Sequence, residues 1–240
     1  MRAAVMQPYL FPYIGYFQLI NVVDSFVLFD DVRYINRGWI NRNRILAGSD
    51  ARLFTLSLNK ASQNKLISEI TITADDSNRR KIIDTLVYYY KKAPQFRETI
   101  DFAEKIILNK EENLANYLCR SIEETAGFLG LVPRFFVSSR LEKFSDLKGQ
   151  SRIIDIVSRL GADEYVNLPG GKELYDFAEF RNKNIRLMFL QPRDIVYRQF
   201  SGDFVPGLSI LDVLMFNPRE RVKEFLAMCD LEGEGDFDGR

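Results

Sequence analysis

The chain opens on a short apolar run, Ala3-Ala4-Val5-Met6, and turns at once through Gln7-Pro8-Tyr9-Leu10-Phe11-Pro12-Tyr13-Ile14-Gly15-Tyr16. A helix-like run follows from Phe17 to Val23, then a second apolar run, Ser25 to Phe29, tipped by Asp30 and Asp31. A strand, a constrained turn, a helix and a second strand form the unit that places ligands at the carboxyl ends of parallel strands. Pro8, Pro12 and Gly15 fix much of the turn's backbone, which a mere connector does not require.

Beyond Asp31 the pattern changes three times. Alternation at Trp39 to Ile45, at Arg52 to Leu58 and at Ile67 to Thr73 predicts strands, with Gly48-Ser49-Asp50 as a turn. A small antiparallel insertion is expected over residues 38–73. Helical spacing then dominates residues 76–130, in three runs. The last part alternates: strands at Arg134–Ser138, Glu164–Leu168 and Ile185–Leu190, helices at Gln150–Leu160 and Glu173–Arg181. That order predicts a parallel sheet with right-handed crossovers. Val196–Phe200 reads as one more strand, and Ser209–Phe216 and Arg219–Cys229 as helices. The expected architecture is α/β: a mostly parallel Rossmann-like sheet, a helical middle segment and the small antiparallel insertion. Residues 1–229 read as one domain, and the Gly- and acid-rich residues 230–240 as a flexible tail.

Composition narrows the chemistry. At 240 residues the chain buries roughly 70–75% of its unfolded surface without staples. Thirty-three basic residues balance thirty-three acidic ones, so net charge gives no reason to expect duplex nucleic acid as the main partner. The two cysteines, Cys119 and Cys229, are far apart and fit a reducing compartment. No apolar window is long enough to span a membrane, and the N-terminus does not read as a signal peptide; a cytoplasmic protein is expected. The chain has no histidine. Ser-His-Asp and Cys-His machinery is therefore excluded, as are His-containing zinc sites. Acid–base work falls to Asp, Glu, Lys, Tyr, Cys or the substrate. Any metal would be hard, such as Mg²⁺.

Five stretches carry candidate chemistry. Gln7, Pro8, Pro12, Gly15 and Tyr16 form a turn before a helix N-terminus, where backbone N–H groups favour an anion; the alternative is a stiff connector with packed aromatics. Asp30 and Asp31 suit a metal, a hydroxyl or a proton at a strand end; the alternative is salt bridging to Arg33, Arg37 or Arg42. Asn41-Arg42-Asn43-Arg44 puts the asparagines on one strand face and two guanidiniums on the other, suited to phosphate, with Trp39 nearby. The alternative is an exposed strand. Ser138, at a strand end, can donate to phosphate or simply terminate the strand. Lys172, after Pro169-Gly170-Gly171, can meet an anion, although P-loop spacing is absent.

Met6 to Gln18, Asp24 to Val32 and Gly38 to Ile45 resemble the WbqC-like family. The similarity continues through Ala93-Pro94-Gln95-Phe96, Gly161 to Tyr165 and Leu208 to Asp212. The resemblance implies a role in bacterial surface polysaccharide or glycan biosynthesis, with transfer of an amino acid, notably glycine, to the amine of a 4-amino-4,6-dideoxy sugar. A second similarity is to the strand–turn–helix of HIGH-motif nucleotidyltransferases, whose turn also runs Pro-x-x-Gly-x. Both histidines of that motif are missing here, with Tyr13 and Tyr16 nearby.

The expected activity is amide formation on a nucleotide-linked amino sugar, from an activated acyl donor. Gln7 and the turn would contact donor or phosphate, Arg42 and Arg44 the sugar nucleotide's phosphates, and Asp30 or Asp31 the amine's proton or Mg²⁺. Mg²⁺ and ATP are the candidate cofactors, and a homo-oligomer is compatible with the chain. The alternatives are a Mg²⁺-dependent nucleotidyl- or glycosyltransferase and a non-catalytic partner of a glycan-biosynthesis enzyme.

Overall fold

Six strands form one twisted sheet, in the order β10-β9-β8-β1-β2-β7. The structure is a computed structural model describing residues 1–143, 146–200 and 202–234. Strands β1 (Arg2–Met6), β2 (Ser25–Leu28), β7 (Arg134–Val137), β8 (Glu164–Asn167) and β9 (Arg186–Pro192) run parallel. All five were expected from the apolar runs. Strand β1 lies at the centre, with β2 and β7 on one side and β8 and β9 on the other. This is the doubly wound order, and it reverses between β1 and β8.

The central strands are near-continuously apolar because both faces are covered. Ala3 and Val5 face a core with α5 (Gly149–Arg159) and α6 (Phe177–Arg181). Ala4 faces the larger core with α1 (Ile14–Asn21), α7 (Ile210–Phe216) and α8 (Arg219–Leu226). The middle helices α2 (Ser77–Tyr90), α3 (Phe96–Ile107) and α4 (Leu114–Phe128) extend that larger core.

Several boundaries differ from the sequence reading. The insertion is two small hairpins: β3 (Arg42–Ala47) with β4 (Asp50–Thr55), and β5 (Leu58–Asn59) with β6 (Thr71–Ile72). Trp39 precedes β3, because Arg37 has a left-handed φ of 60° that breaks the extended run. Ile67–Glu69 is a single 3-10 turn, closed by Glu69 accepting from the Leu66 N–H at 2.8 Å. Residues 173–181 split into a 3-10 turn, Pro169–Leu174, and α6, which Asp176 caps by accepting from the Ala178 N–H at 2.8 Å. Val196–Phe200 is not a strand. Tyr197 and Gln199 are instead drawn inward, where both donate to buried Asp212, at 2.5 and 3.0 Å. Cys229–Glu232, placed largely in the expected tail, forms β10 antiparallel to β9; residues 235–240 lie outside the described residues.

The turn after β1 is held by side chains from distant elements. Asn43 Nδ2 donates to the Leu10 and Phe11 carbonyls at 3.0 and 2.7 Å. Ser209 Oγ donates to the Phe11 carbonyl at 2.8 Å, and the Ile210 N–H to the Pro12 carbonyl at 2.9 Å. These bonds fix Phe11 at φ 42°, a left-handed conformation that a bulky residue rarely adopts. Asn41 faces the same interior as Asn43, accepting from the Tyr34 hydroxyl at 2.8 Å and donating to Leu56. The expected division of the two faces therefore holds, with both asparagines buried.

Two predictions follow from this packing. Asn43→Ala leaves the buried carbonyl of Leu10 without its donor, at a cost of about 1–3 kcal/mol in chemical denaturation; a loss near zero would remove the turn's dependence on Asn43. Asp212 generates the second. Burial holds its carboxyl above the ordinary carboxylate value, against the donors Tyr197, Tyr90 and Gln199, which favour the ionised form. The folded state thus keeps this proton to higher pH than the unfolded chain does. Asp212's stabilising contribution is full below the unfolded value and declines as pH rises through the folded one. The unfolding free energy of wild type minus that of Asp212→Asn should fall between pH 4 and the folded value; a rising difference would refute the raised carboxyl.

Candidate functional site

The carboxyl ends of β1, β2, β7 and β8 project Gln7, Asp30-Asp31, Ser138-Ser139 and Leu168 to Lys172 along one edge of the sheet. In doubly wound sheets ligands bind at this edge, near the reversal of strand order. A cleft of about 520 Å³ opens there, lined by Phe29, Asp31 and Arg33 after β2, by Lys148 and Arg152 around the start of α5, and by Tyr175 after β8. It therefore joins elements from both sides of β1. Larger cavities, near 690 and 640 Å³, lie around Asp24 and Arg134 and around Arg186, at the amino ends of strands. Their place in the fold makes them weaker candidates despite their size.

The adjacent aspartates differ sharply in environment. Asp30 is 2% exposed and accepts from the Ser139 N–H at 2.9 Å and the Ser139 hydroxyl at 2.6 Å. Asp31 Oδ2 is paired with Lys143 at 2.8 Å and Arg152 at 2.6 Å. Its salt-bridge partners are thus not the expected Arg33, Arg37 and Arg42. Asp31 Oδ1 is buried and has no hydrogen-bond partner among the described residues. Arg152 is further fixed by the Asp31 carbonyl at 3.3 Å and by the Phe29 ring, whose centroid is 4.8 Å from the guanidinium carbon.

These aspartates do not fit a magnesium site. Both Asp30 oxygens receive donors from Ser139, and Asp31 already carries two cations. The one oxygen of the pair left open to a dication, Asp31 Oδ1, belongs to a carboxylate whose charge Lys143 and Arg152 already meet.

The other expected residues form separate groups. Pro8, Pro12 and Gly15 are buried, and Gln7 is half-buried. The buried Tyr16 hydroxyl donates to the Gln7 carbonyl at 2.9 Å. The Tyr13 ring lies against Gly15, where any Cβ would come within 2.4 Å of it. The start of α1 is therefore roofed by an aromatic ring. Trp39, Arg42 and Arg44 cluster beside β3, with the guanidinium carbons 5.9 and 5.4 Å from the indole centroid. None of the three lines the cleft. Ser138 is fully buried; its neighbour Ser139 makes the contact to Asp30. Lys172 lies toward β10, 3.7 Å from Glu232.

Arg152, Lys143, Lys148 and Tyr175 were not legible as site residues. Arg152 occupies an ordinary helical position, and its approach to Asp31 depends on long-range packing. Ser139 did have a local signal, since it follows Ser138 at a strand end.

A model of the WbqC-like protein family matches residues 7–224. The chain belongs to that family. This WbqC-like protein is also 30% identical over 233 residues to uncharacterized protein Rv1507c of Mycobacterium tuberculosis (strain ATCC 25618 / H37Rv), covering 95% of this chain and 98% of the relative. No solved structure gives a significant match. No helix among the described residues is long and apolar enough to cross a membrane.

Cys119 sits behind this edge. Burial pushes its thiol up to about 12, and the nearby carboxylates of Asp30 and Glu123 add to the rise. A nucleophilic thiolate is therefore scarce at neutral pH. Iodoacetamide at pH 8 should modify native Cys119 at least ~100-fold more slowly than the same residue in the unfolded chain. Equal rates, followed by peptide mass spectrometry, would restore Cys119 as a candidate nucleophile.

Proposed function

We propose that this WbqC-like protein acts in bacterial surface-glycan biosynthesis, transferring an amino-acid-like acyl group to the amine of a nucleotide-linked amino sugar. The observation carrying this reading is the carboxyl-edge cleft, which combines cationic side chains with the unpartnered Asp31 Oδ1. Arg33 and Lys148 suit the sugar nucleotide's diphosphate. Asp31 Oδ1 suits the amine, accepting its hydrogen bond and holding the amine nitrogen toward the donor.

In the transfer, the amine nitrogen bonds to the acyl carbon and the bond from that carbon to the leaving group breaks. The amine proton passes through Asp31 to the departing group, so no redox partner is needed. Negative charge on the acyl oxygen would be met by the free N–H groups at the start of α5. Lys143 and Arg152 keep Asp31 in place. Asp30, already satisfied by Ser139, braces the β2 and β7 ends.

Calorimetry with a dTDP-4-amino-4,6-dideoxyhexose tests the binding step. Arg33→Ala combined with Lys148→Ala should weaken binding at least ~10-fold, about 1.4 kcal/mol. Asp31→Asn should retain most of the affinity and lose aminoacyl transfer, followed by mass spectrometry of the sugar nucleotide. Unchanged affinity in the double variant would overturn the assignment of the cleft.

A further inference from the structure

The segment from Arg37 to Arg44 carries positive charge that the fold does not neutralise. Arg42 Nε donates to the Gly38 carbonyl at 2.9 Å, and its guanidinium also bonds the Arg37 carbonyl. Arg44 Nη2 donates to the Gly207 carbonyl at 3.1 Å. These bonds orient both guanidiniums without cancelling their charge. Among the described residues no carboxylate pairs with Arg37, Arg42 or Arg44. Arg44 Nε is buried with no hydrogen-bond partner there. Elsewhere exposed arginines do find acids, as in Arg219 with Glu98 and Arg193 with Asp230.

Between these cations stands the chain's single tryptophan, Trp39, which is 43% exposed. A large exposed indole flanked by cations is an unusual surface in a chain of zero net charge. Aromatic stacking together with arginine–phosphate contacts is the pairing that holds nucleotides and single strands. The surface is also tied to the sheet edge: the Leu10 N–H donates to the Ile40 carbonyl at 3.0 Å, and Asn43 holds the same turn.

We propose that Trp39, Arg42 and Arg44 form a nucleotide-binding surface, with the base stacked on Trp39 and a phosphate held by the two guanidiniums. It is separate from the carboxyl-edge cleft and does not depend on the acyl-transfer reading. The shared ligand chemistry is a base linked to a phosphate, supplied by a free nucleotide or by a single-stranded RNA end. An acyl donor carried on either would have the chemistry this surface accepts.

The lone tryptophan makes intrinsic fluorescence a local reporter. Titration with AMP, ATP and a single-stranded oligoribonucleotide of about six nucleotides tests the surface. A saturable change in Trp39 emission is expected. Saturation by the mononucleotides identifies a free nucleotide; saturation by the oligonucleotide alone identifies an RNA end. Adenosine, lacking phosphate, should bind at least ~10-fold more weakly than the effective ligand. Arg42→Gln with Arg44→Gln should weaken binding at least ~10-fold, whereas Arg221→Gln on α8 should leave it unchanged. Should the double variant lose its circular dichroism spectrum, Arg42→Gln alone carries the test with an expected loss of several-fold. No saturable emission change with any of the three ligands, or equal affinity in a folded variant, overturns the proposal. Neither result bears on the cleft, whose test is made at Arg33 and Lys148.

Discussion

The structure depends on how the Leu10–Phe11–Pro12 carbonyls are held. They project from a turn that has no regular hydrogen-bonding pattern of its own. Their partners come from the β3 hairpin, through Asn43, and from the start of α7, through Ser209 and Ile210. One turn thus joins the first strand, the insertion and the C-terminal helices, elements separated by up to 198 positions in the chain. A buried carbonyl without a donor is expensive, so the three regions settle their positions together. The carboxyl end of β1 inherits its geometry from that joint arrangement.

A second polar centre lies in the first turn of α7. Asp212 is fully buried and receives hydroxyls from Tyr90 and Tyr197 and an amide from Gln199. Tyr90 also accepts from the Leu46 N–H at 2.8 Å, extending the network to β3. The irregular segment containing Tyr197 and Gln199 is ordered by this carboxylate rather than by strand pairing. Two polar clusters thus hold β3, one through Asn43 near its start and one through Leu46 near its end.

Much of the fold was legible because its signals are local. The apolar runs at Ala3, Ser25, Arg134, Glu164 and Ile185 gave the parallel strands, and Ser209 marked the start of α7. Errors arose where tertiary partners override a local pattern. The alternating run at Val196–Phe200 points Tyr197 and Gln199 at Asp212, a residue the run itself does not predict. The site was legible only in outline. Asp31 stood out at a strand end, whereas Arg152 and Lys143 become its partners only after folding brings α5 and the segment after β7 to that edge. Phosphate contacts were expected at the start of α1, where the Tyr13 ring now lies against Gly15. The Asn41–Arg44 pattern was readable to the level of single faces, because a strand's period of two depends on little beyond the backbone.

Strand β10 has a consequence for assembly. A parallel sheet ending at β9 would present a row of unpaired backbone groups to any other chain. Antiparallel β10 covers that row with a short segment carrying Asp230 and Glu232, and Asp230 is engaged by Arg193 at its margin. Short, charged edges discourage further strand addition. Copies of this protein are thereby kept from extending one another's sheets through β9, and the last few described residues serve as a stop to lateral growth.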